Sequence, residues 1–334
     1  MAETTGLDTP RVACVGAGNI GRSWAIAYAA GGAEVRLFDV SAAAVARALE
    51  FIDATADDLV AAGRLRSKEL LLERIRGAGT VAAAVDGVQH IQESVSDDPA
   101  VKRRVFAELD ALTPTSITIG SSAGEAPVSK FTEGLPGAGR CLLVHPVNPP
   151  HILRAVEICP TPWTERWAVL ACKQLVESIG MVPIMLTREI SGYAINRLQY
   201  ALLGEALHLV GEGYCEPKDI DAAIKHGLGL RWAFLGPFET SHLNATQGYQ
   251  EYMLTDEAGA RRLMADVRAG YQWDHALIAR IHDYLIQTMK SEDIVQHQQQ
   301  RDRRLLGLMQ HLQADTSAGV ALDGQEAKST RGVP

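Results

Sequence analysis

The sequence has few of the features of membrane, secreted or nucleic-acid-binding proteins. No run of apolar residues approaches the ~18 residues that a membrane-spanning helix needs, and the opening MAETTGLDTP lacks the basic and apolar segments of a secretory signal. Acidic residues outnumber basic residues by 40 to 32, so a surface that binds polyanions is not expected. We therefore expect a cytoplasmic protein that binds neither nucleic acid nor membrane.

Cysteine is also sparse. The five cysteines are scattered, odd in number and mostly set in apolar stretches, and they lack the paired spacing of a zinc site: Cys14, Cys141, Cys159, Cys172 and Cys215. This usage is typical of buried free thiols, and no metal site is predicted.

The size and composition indicate a folded protein of two domains. The 334 residues exceed what one ordinary compact core accommodates, and 47% hydrophobic with 22% charged residues are globular proportions.

The first half of the chain alternates short apolar runs with helical patterns. Strands are predicted at RVACVG, EVRLFDV, VQHIQES, SITIGSS, RCLLVH, RAVEIC and VPIMLT, with helices between several of them. Such alternation predicts parallel strands joined by crossover helices. Residues 1–188 are therefore expected to form a doubly wound α/β sheet of the Rossmann type, with about eight strands.

The pattern changes to purely helical spacing from Ser191 onward. Residues 189–314 are predicted to form an all-α domain whose last long segment runs from about Asp274 to Leu312. Residues 315–334 are small and polar, and we expect a flexible tail there.

A glycine-rich motif follows the first predicted strand and opens the first helix. In Gly16-Ala17-Gly18-Asn19-Ile20-Gly21, the first glycine permits a tight turn, the second lets the backbone approach a pyrophosphate, and the third allows the helix to pack closely on the strand. The amides of the helix N-terminus would then face the phosphates. The alternative is an ordinary glycine turn.

Asp39 closes the second predicted strand, where its carboxylate can accept hydrogen bonds from the adenosine ribose. No basic residue follows in that turn, so a 2′-phosphate would be repelled. NAD is predicted as the cofactor in preference to NADP.

His145 ends the predicted strand RCLLVH, immediately before the rigid loop that contains Asn148, a substrate-binding candidate. Ligands of open α/β sheets bind at such carboxyl ends, and histidine can take a proton near neutral pH. Glu157 is a lone charge in the next apolar strand, which is costly unless it is paired. If that strand folds back beside the first, Glu157 could orient the imidazole.

Asn196 begins the helical part of the chain, within SGYAINRLQ. Its amide could hydrogen-bond a reacting substrate oxygen, or it could serve as a helix cap.

Several long motifs, taken in order, resemble one known family over nearly the whole chain. GAGNIGRSWA, HPVNPP, the twelve-residue spacing from His145 to Glu157, and GYAINR are similar to the 3-hydroxyacyl-CoA dehydrogenase family. The resemblance implies an NAD-dependent dehydrogenase with His145 as base, Glu157 as its partner and Asn196 as a ligand of the substrate oxygen. It also implies that Glu93 and Lys102 line the cofactor site and that the helical domain forms a homodimer.

Within that family, GLGLRWAF and GPFETSHLNA look most like segments of members that oxidise free 3-hydroxy acids such as gulonate. Arg231 could pair with a substrate carboxylate there, or could be a surface arginine. Gly124 stands where the family has a serine. Ser122 could take over the hydrogen bond to the substrate oxygen, and Ser121 is a further substrate-binding candidate, although both serines could satisfy loop backbone instead.

Three alternatives stay open. The substrate could be a cationic hydroxy acid such as carnitine, with Glu125 as a carboxylate near Gly124 and with Trp232 and Tyr193 as possible walls of a cation-π site. It could also be a 3-hydroxyacyl-CoA thioester. The chain could also be a nucleotide-binding structural protein or sensor without activity.

Overall fold

Eight strands form one sheet in the computed structural model, which describes residues 9–317 and, from residue 313 on, the backbone alone. The strands are β1 (Arg11–Val15), β2 (Glu34–Phe38), β3 (Ile75–Gly77), β4 (His90–Glu93), β5 (Thr118–Ser121), β6 (Cys141–Pro146), β7 (Ala155–Pro160) and β8 (Val182–Met185). Their order is β3-β2-β1-β4-β5-β6-β7-β8. All seven predicted strands are present, and the predicted doubly wound sheet is confirmed.

Two strands, β7 and β8, run against the other six. Neighbouring strands from β3 through β6 pair in parallel, whereas β7 pairs with β6 antiparallel and β8 then lies parallel to β7. The reversal at β7 brings the start of β7 beside the end of β6.

Helices cover both faces of the sheet. They are α1 (Asn19–Ala30), α2 (Ala42–Ala61), α3 (Lys68–Arg74), α4 (Val81–Val85), α5 (Pro99–Leu112), α6 (Ser129–Thr132) and α7 (Arg166–Ser178). Because side chains alternate along a strand, β1 sends Val12 and Cys14 into the core with α1, α2 and α7, and Ala13 and Val15 into the core with α4 and α5.

The later helices are α8 (Ile195–Gly211), α9 (Pro217–Ala223), α10 (Gly229–Trp232), α11 (Pro237–His242), α12 (Tyr249–Thr255), α13 (Glu257–Asp266), α14 (His275–Ile286) and α15 (Ile294–Ser317). Asn196–His297 form a compact unit, which is helical as predicted and has a small core of Leu207, Val210 and Leu277. None of the described helices is long and apolar enough to cross a membrane.

The other compact unit contains the described residues up to Ile195 together with those from Gln298 onward. Helix α15 therefore belongs largely with the sheet, because Leu306 is buried in the core beside α1 and α2 and Arg303 pairs with Asp58 at 3.0 Å. The predicted boundaries at residues 188 and 314 stay predictions.

Two expectations for the C-terminal segment need correction. The last predicted segment, from about Asp274 to Leu312, is occupied by α14 and α15. Helix α15 starts before and runs past the predicted end to Ser317, so residues 315–317 are helical rather than a loose tail. The remainder of the predicted tail lies outside the described residues.

Candidate active site

The glycine motif forms the turn between β1 and α1. Gly16 has φ of 102°, and a Cβ on it would lie 2.5 Å from the carbonyl oxygen of Ser94. A Cβ on Gly21 would collide with the carbonyl oxygen of Gly16, whereas no heavy atom of a described residue other than Gly18 and its chain neighbours lies within 4 Å of the corresponding position on Gly18. Gly16 and Gly21 therefore permit close packing, and Gly18 leaves open space beside the backbone.

Helix α1 begins at Asn19, with Gly18 as its N-cap and no side-chain hydrogen bond to the cap. Gly18 and Asn19 are exposed, and Ile20 is half-buried. The N–H groups of a first helical turn have no partner inside the helix, so these amides and the positive end of the helix dipole suit an anionic group.

Asp39 is half-buried at the end of β2. One carboxylate oxygen accepts a hydrogen bond from the backbone N–H of Ala17 at 2.8 Å, and the other accepts one from the N–H of Ser41 at 2.9 Å. Asp39 thus fixes the glycine turn against β2, while each of its oxygens keeps a second lone pair for a ribose hydroxyl.

Glu93 and Lys102 lie together in the interior. Lys102 Nζ is 2.8 Å from Glu93 Oε1, and the other carboxylate oxygen accepts a hydrogen bond from Ser121 Oγ at 2.6 Å. All three residues are at most 1% exposed. These side chains tie the ends of β4 and β5 to α5. The predicted roles of Glu93 and Lys102 at the cofactor site and of Ser121 at the substrate site stay predictions.

His145 and Glu157 face each other across the antiparallel pair β6–β7. His145 Nδ1 lies 2.7 Å from Glu157 Oε2. The other oxygen, Oε1, accepts hydrogen bonds from the backbone N–H groups of Ala194 and Ile195 at 2.7 and 2.9 Å. The fold-back that the sequence analysis anticipated therefore brings the two side chains into contact.

The pKa of Glu157 reflects two opposed effects. Burial alone would raise this pKa, but the hydrogen bonds from His145 and from the N–H groups of Ile195 and Ala194 outweigh burial and hold it below its usual value. Glu157 is therefore a buried carboxylate that remains ionised at neutral pH.

A constrained turn supplies the two amides that bind Glu157. Tyr193 has φ of 47°, in the left-handed region that non-glycine residues rarely adopt, and its buried hydroxyl donates to the carbonyl oxygen of Ala126 at 3.3 Å. Its ring packs 6.3 Å from that of His145. Tyr193 is fully buried, so it cannot be the wall of a cation site that the carnitine alternative assumed.

Ser122 sits in a network of side chains rather than at a free surface. Its Oγ accepts hydrogen bonds from Trp24 Nε1 at 3.1 Å and Gln92 Nε2 at 2.8 Å, and it lies 2.9 Å from Ser94 Oγ. A hydroxyl has two lone pairs and one proton. Because both lone pairs of Ser122 Oγ accept hydrogen bonds, Ser122 donates its own proton to Ser94 Oγ. The hydroxyl proton of Ser94 therefore makes no hydrogen bond within this network.

These contacts bear on which of the two serines can donate a hydrogen bond to the substrate oxygen. Ser122 must give up an internal hydrogen bond to bind that oxygen, whereas half-buried Ser94 need not. Sequence reasoning missed Ser94 and Gln92, although a polar Gln92 inside the buried strand of HIQES was an available signal.

The remaining predicted residues are more dispersed. Asn148 is exposed in the loop after β6, three residues beyond His145, and Gly124 is half-buried after β5. Asn196 is the second residue of α8 and is half-buried, and Arg231 is exposed in α10. Both belong to the helical unit, and their substrate roles stay predictions.

The arrangement fits a bound dinucleotide. The carboxyl ends of the parallel strands β1, β4, β5 and β6 lie at one edge of the sheet, which carries the glycine turn, Ser94, Ser122 and His145. The open space at Gly18, the free amides of α1 and the acceptor Asp39 are the features that would hold NAD. An imidazole with an ionised partner at this edge is the combination that an alcohol dehydrogenase needs.

Comparison with known protein families identifies the family to which the chain belongs. Residues 11–190 match the 3-hydroxyacyl-CoA dehydrogenase NAD binding domain, and residues 192–272 match the C-terminal domain of the same enzymes. The chain therefore belongs to the 3-hydroxyacyl-CoA dehydrogenase family and is an NAD-dependent dehydrogenase.

Three relatives match nearly the whole chain. Lambda-crystallin of Oryctolagus cuniculus is 35% identical, over 90% of this chain and 97% of its own length. The lambda-crystallin homolog of Homo sapiens is 36% identical over 89% and 94%. L-carnitine dehydrogenase of Nocardiopsis dassonvillei is 33% identical over 96% and 97%.

Solved structures agree on the fold. An NAD+-dependent 5-formyl-3-hydroxy-2-methylpyridine 4-carboxylic acid 5-dehydrogenase superposes with a TM-score of 0.80 at 24% identity, covering 91% of this chain and 99% of that one. A 3-hydroxybutyryl-CoA dehydrogenase of Escherichia coli gives a TM-score of 0.62 at 26% identity, covering 71% and 50%.

Proposed function

We propose that this chain oxidises the 3-hydroxyl group of a small free 3-hydroxy acid to the 3-oxo acid, and that L-gulonate is the first substrate to test. The observation that carries the chemistry is the contact between His145 and the buried, ionised Glu157. The resemblance of GLGLRWAF and GPFETSHLNA to segments of family members that oxidise free 3-hydroxy acids supports a free acid as substrate.

The contact between His145 and Glu157 indicates which ring nitrogen of His145 carries the proton. An ionised carboxylate only accepts hydrogen bonds, so the Nδ1 of a neutral His145 carries a proton and its Nε2 carries the free lone pair. Nε2 can therefore take the proton of the substrate hydroxyl. NAD, held by the glycine turn, the α1 amides and Asp39, would supply the acceptor for the hydride of C3. Glu157 stays ionised and stabilises the imidazolium.

Other residues would hold the substrate. Asn196 is proposed to hydrogen-bond the reacting oxygen, with the Ser94–Ser122 pair as the hydroxyl donor on the sheet. Arg231 is proposed to pair with the substrate carboxylate, and a bidentate contact of this kind suits a free acid better than a thioester.

A substrate panel tests the proposal. Purified protein with NAD is offered L-gulonate, 3-hydroxybutyrate, L-carnitine and 3-hydroxybutyryl-CoA, and NADH formation is followed by absorbance. We expect the highest kcat/KM with a free anionic 3-hydroxy acid. A preference for the thioester, or no turnover with any 3-hydroxy acid despite tight NADH binding, would refute the proposed function.

L-carnitine is the second candidate. Relatives called L-carnitine dehydrogenase match the chain at 33% and 36% identity, and Glu125 is an exposed carboxylate close to Gly124. Turnover of L-carnitine that Glu125→Gln reduces, with L-gulonate left unused, would favour this candidate.

We also propose that the protein is a homodimer formed through the helical unit. That unit exposes large apolar side chains, each at least 61% accessible: Leu198, Leu230, Phe238, Leu243, Leu263 and Met264. Exposed apolar surface on this scale is typical of an interface. Light scattering should give twice the 36.0 kDa of one chain, and a monomer at micromolar concentration would rule the homodimer out.

A further inference from the structure

A cavity of about 110 Å³ lies beside the core of α1, α2 and α7. Its walls come from the C-terminal ends of α1 and α2, from the loop before β7, and from the turn before β8. Arg64, His151 and Arg154 line it, and none of its described lining residues is acidic. The cavity is therefore polar on one side and carries positive charge alone.

The two guanidinium groups have no counter-charge among the described residues. The side chain of Arg64 makes no hydrogen bond or ion pair with any described residue, and it is half-buried. Arg154 donates from Nε to the carbonyl oxygen of Gly180 at 2.5 Å, which leaves its terminal nitrogens without a described partner. Burial and the neighbouring Arg154 lower the pKa of Arg64. Two like charges held close together favour binding of an anion between them.

His151 is a third unsatisfied group at the same place. It is 8% exposed, and both of its ring nitrogens are buried without a hydrogen-bond partner among the described residues. Burial, followed by the charges of Arg22 and Arg301, lowers the pKa of His151 to about 4. The neutral ring of His151 does not balance the positive charges of the two arginines. One of its nitrogens carries an N–H that needs a hydrogen-bond acceptor.

We propose that this cavity is a second anion site, which binds a tetrahedral oxyanion of the phosphate class between Arg64 and Arg154. Such an ion offers several acceptor oxygens to two guanidinium groups, whose N–H groups match the spacing of its oxygens. It would also compensate the like charges and offer an acceptor to the ring of His151.

The site is separate from the place proposed for NAD. The cavity meets α1 at Ala27, Ala30 and Gly31, whereas the glycine turn lies at the opposite end of that helix. A rise of ~1.5 Å per residue places Gly31 about 20 Å from Gly18 along the helix axis. Saturation with NADH therefore fills the dinucleotide site and leaves the cavity available.

Calorimetric titration of the full chain with inorganic phosphate tests the proposal, in the presence of saturating NADH and at constant ionic strength. We expect one phosphate per chain. Arg64→Gln and Arg154→Gln should each weaken phosphate binding about tenfold or more. Arg104→Gln is the matched control, because Arg104 is exposed on α5, which packs on the other face of the sheet; it should bind phosphate like the wild type.

Three results would overturn the proposal: no heat of phosphate binding to the wild type, an unchanged phosphate affinity in Arg64→Gln, or equally tight binding of acetate, which is a planar carboxylate. NADH affinity and the thermal midpoint are measured for each variant. The side chain of Arg64 forms no described hydrogen bond or ion pair, so its variant should match the wild type in both and remain informative even if Arg154→Gln unfolds.

Discussion

The two oxygens of Glu157 have separate partners, and this fixes how a substitution at this residue should act. In Glu157→Gln, the backbone N–H groups of Ala194 and Ile195 still need an acceptor, so the amide oxygen should stay on their side. The amide NH₂ would then face His145 Nδ1 and force the ring proton onto Nε2. We expect kcat for NAD reduction to fall about 10²–10⁴-fold.

NADH affinity serves as the control for this variant, because Glu157 lies away from the glycine turn. It should change by less than about twofold in a fluorescence titration. A Glu157→Gln enzyme that keeps the wild-type kcat would contradict the proposed tautomer.

His90 should make the protein sensitive to mild acid. It is buried in β4 with Nδ1 2.7 Å from Thr118 Oγ1 and Nε2 3.2 Å from Gln92 Oε1. Burial lowers its pKa from 6.5 to about 4, partly opposed by the hydrogen bond with Gln92. The unfolded chain binds this proton first as the pH falls, so stability is complete above pH ~6.5 and should decrease by up to about 3 kcal/mol toward pH ~4.

Urea unfolding at several pH values measures this dependence. His90→Gln should show a shallower loss of stability than the wild type between pH ~6.5 and ~4, although His151, whose pKa is also lowered to about 4, should retain its own share. Identical slopes in the two proteins would show that His90 is not the group responsible.

Single residues differed in how well the sequence predicted them. His145 and Glu157 could be found because each is a polar residue in an apolar strand and the two strands are adjacent in sequence. Ser122 was harder to interpret because its partners come from residues 98 and 30 positions away, Trp24 and Gln92. Glu93 and Lys102 pair with each other, and no local pattern distinguishes a buried ion pair from a cofactor contact.

At the scale of elements, the β1–α1 turn offers two glycines with opposite surroundings. A Cβ at Gly21 would collide with the Gly16 carbonyl, so Gly21→Ala should lose about 1–3 kcal/mol or more of folding stability. A Cβ at Gly18 meets open space, so Gly18→Ala should stay within about 0.5 kcal/mol of the wild type.

The same two glycine variants distinguish an effect on folding stability from an effect on NADH binding. Gly18→Ala should raise the dissociation constant for NADH about tenfold or more, because the added methyl group occupies the space proposed for the pyrophosphate. Thermal unfolding and NADH titration of the two variants measure both effects. Unchanged NADH affinity in Gly18→Ala would place the pyrophosphate elsewhere.

Element type followed from sequence wherever a pattern was long enough. Helix α5, one of the helices expected between strands, begins at Pro99, and the Asp98 side chain accepts hydrogen bonds from the N–H groups of Ala100 and Val101. The sequence analysis missed β3, α3 and α4, whose three, seven and five residues are too short to show a period.

At the scale of the whole molecule, the sequence order of the elements was a poor guide to which of them pack together. Helix α15 follows a series of helices in the chain, yet Leu306 belongs to the core of the sheet. Its Gln-, His- and Arg-rich sequence gives a weak apolar stripe, and a single buried leucine cannot be assigned to a core from periodicity alone.

The most direct test of the account is the rate of NADH formation by His145→Gln with saturating NAD and the best 3-hydroxy acid of the panel. If His145 is the base, this rate should be at least about 10²-fold below that of the wild type, with NADH affinity and the thermal midpoint unchanged. A variant that binds NADH normally and turns over at the wild-type rate would contradict the assignment of His145 as the base.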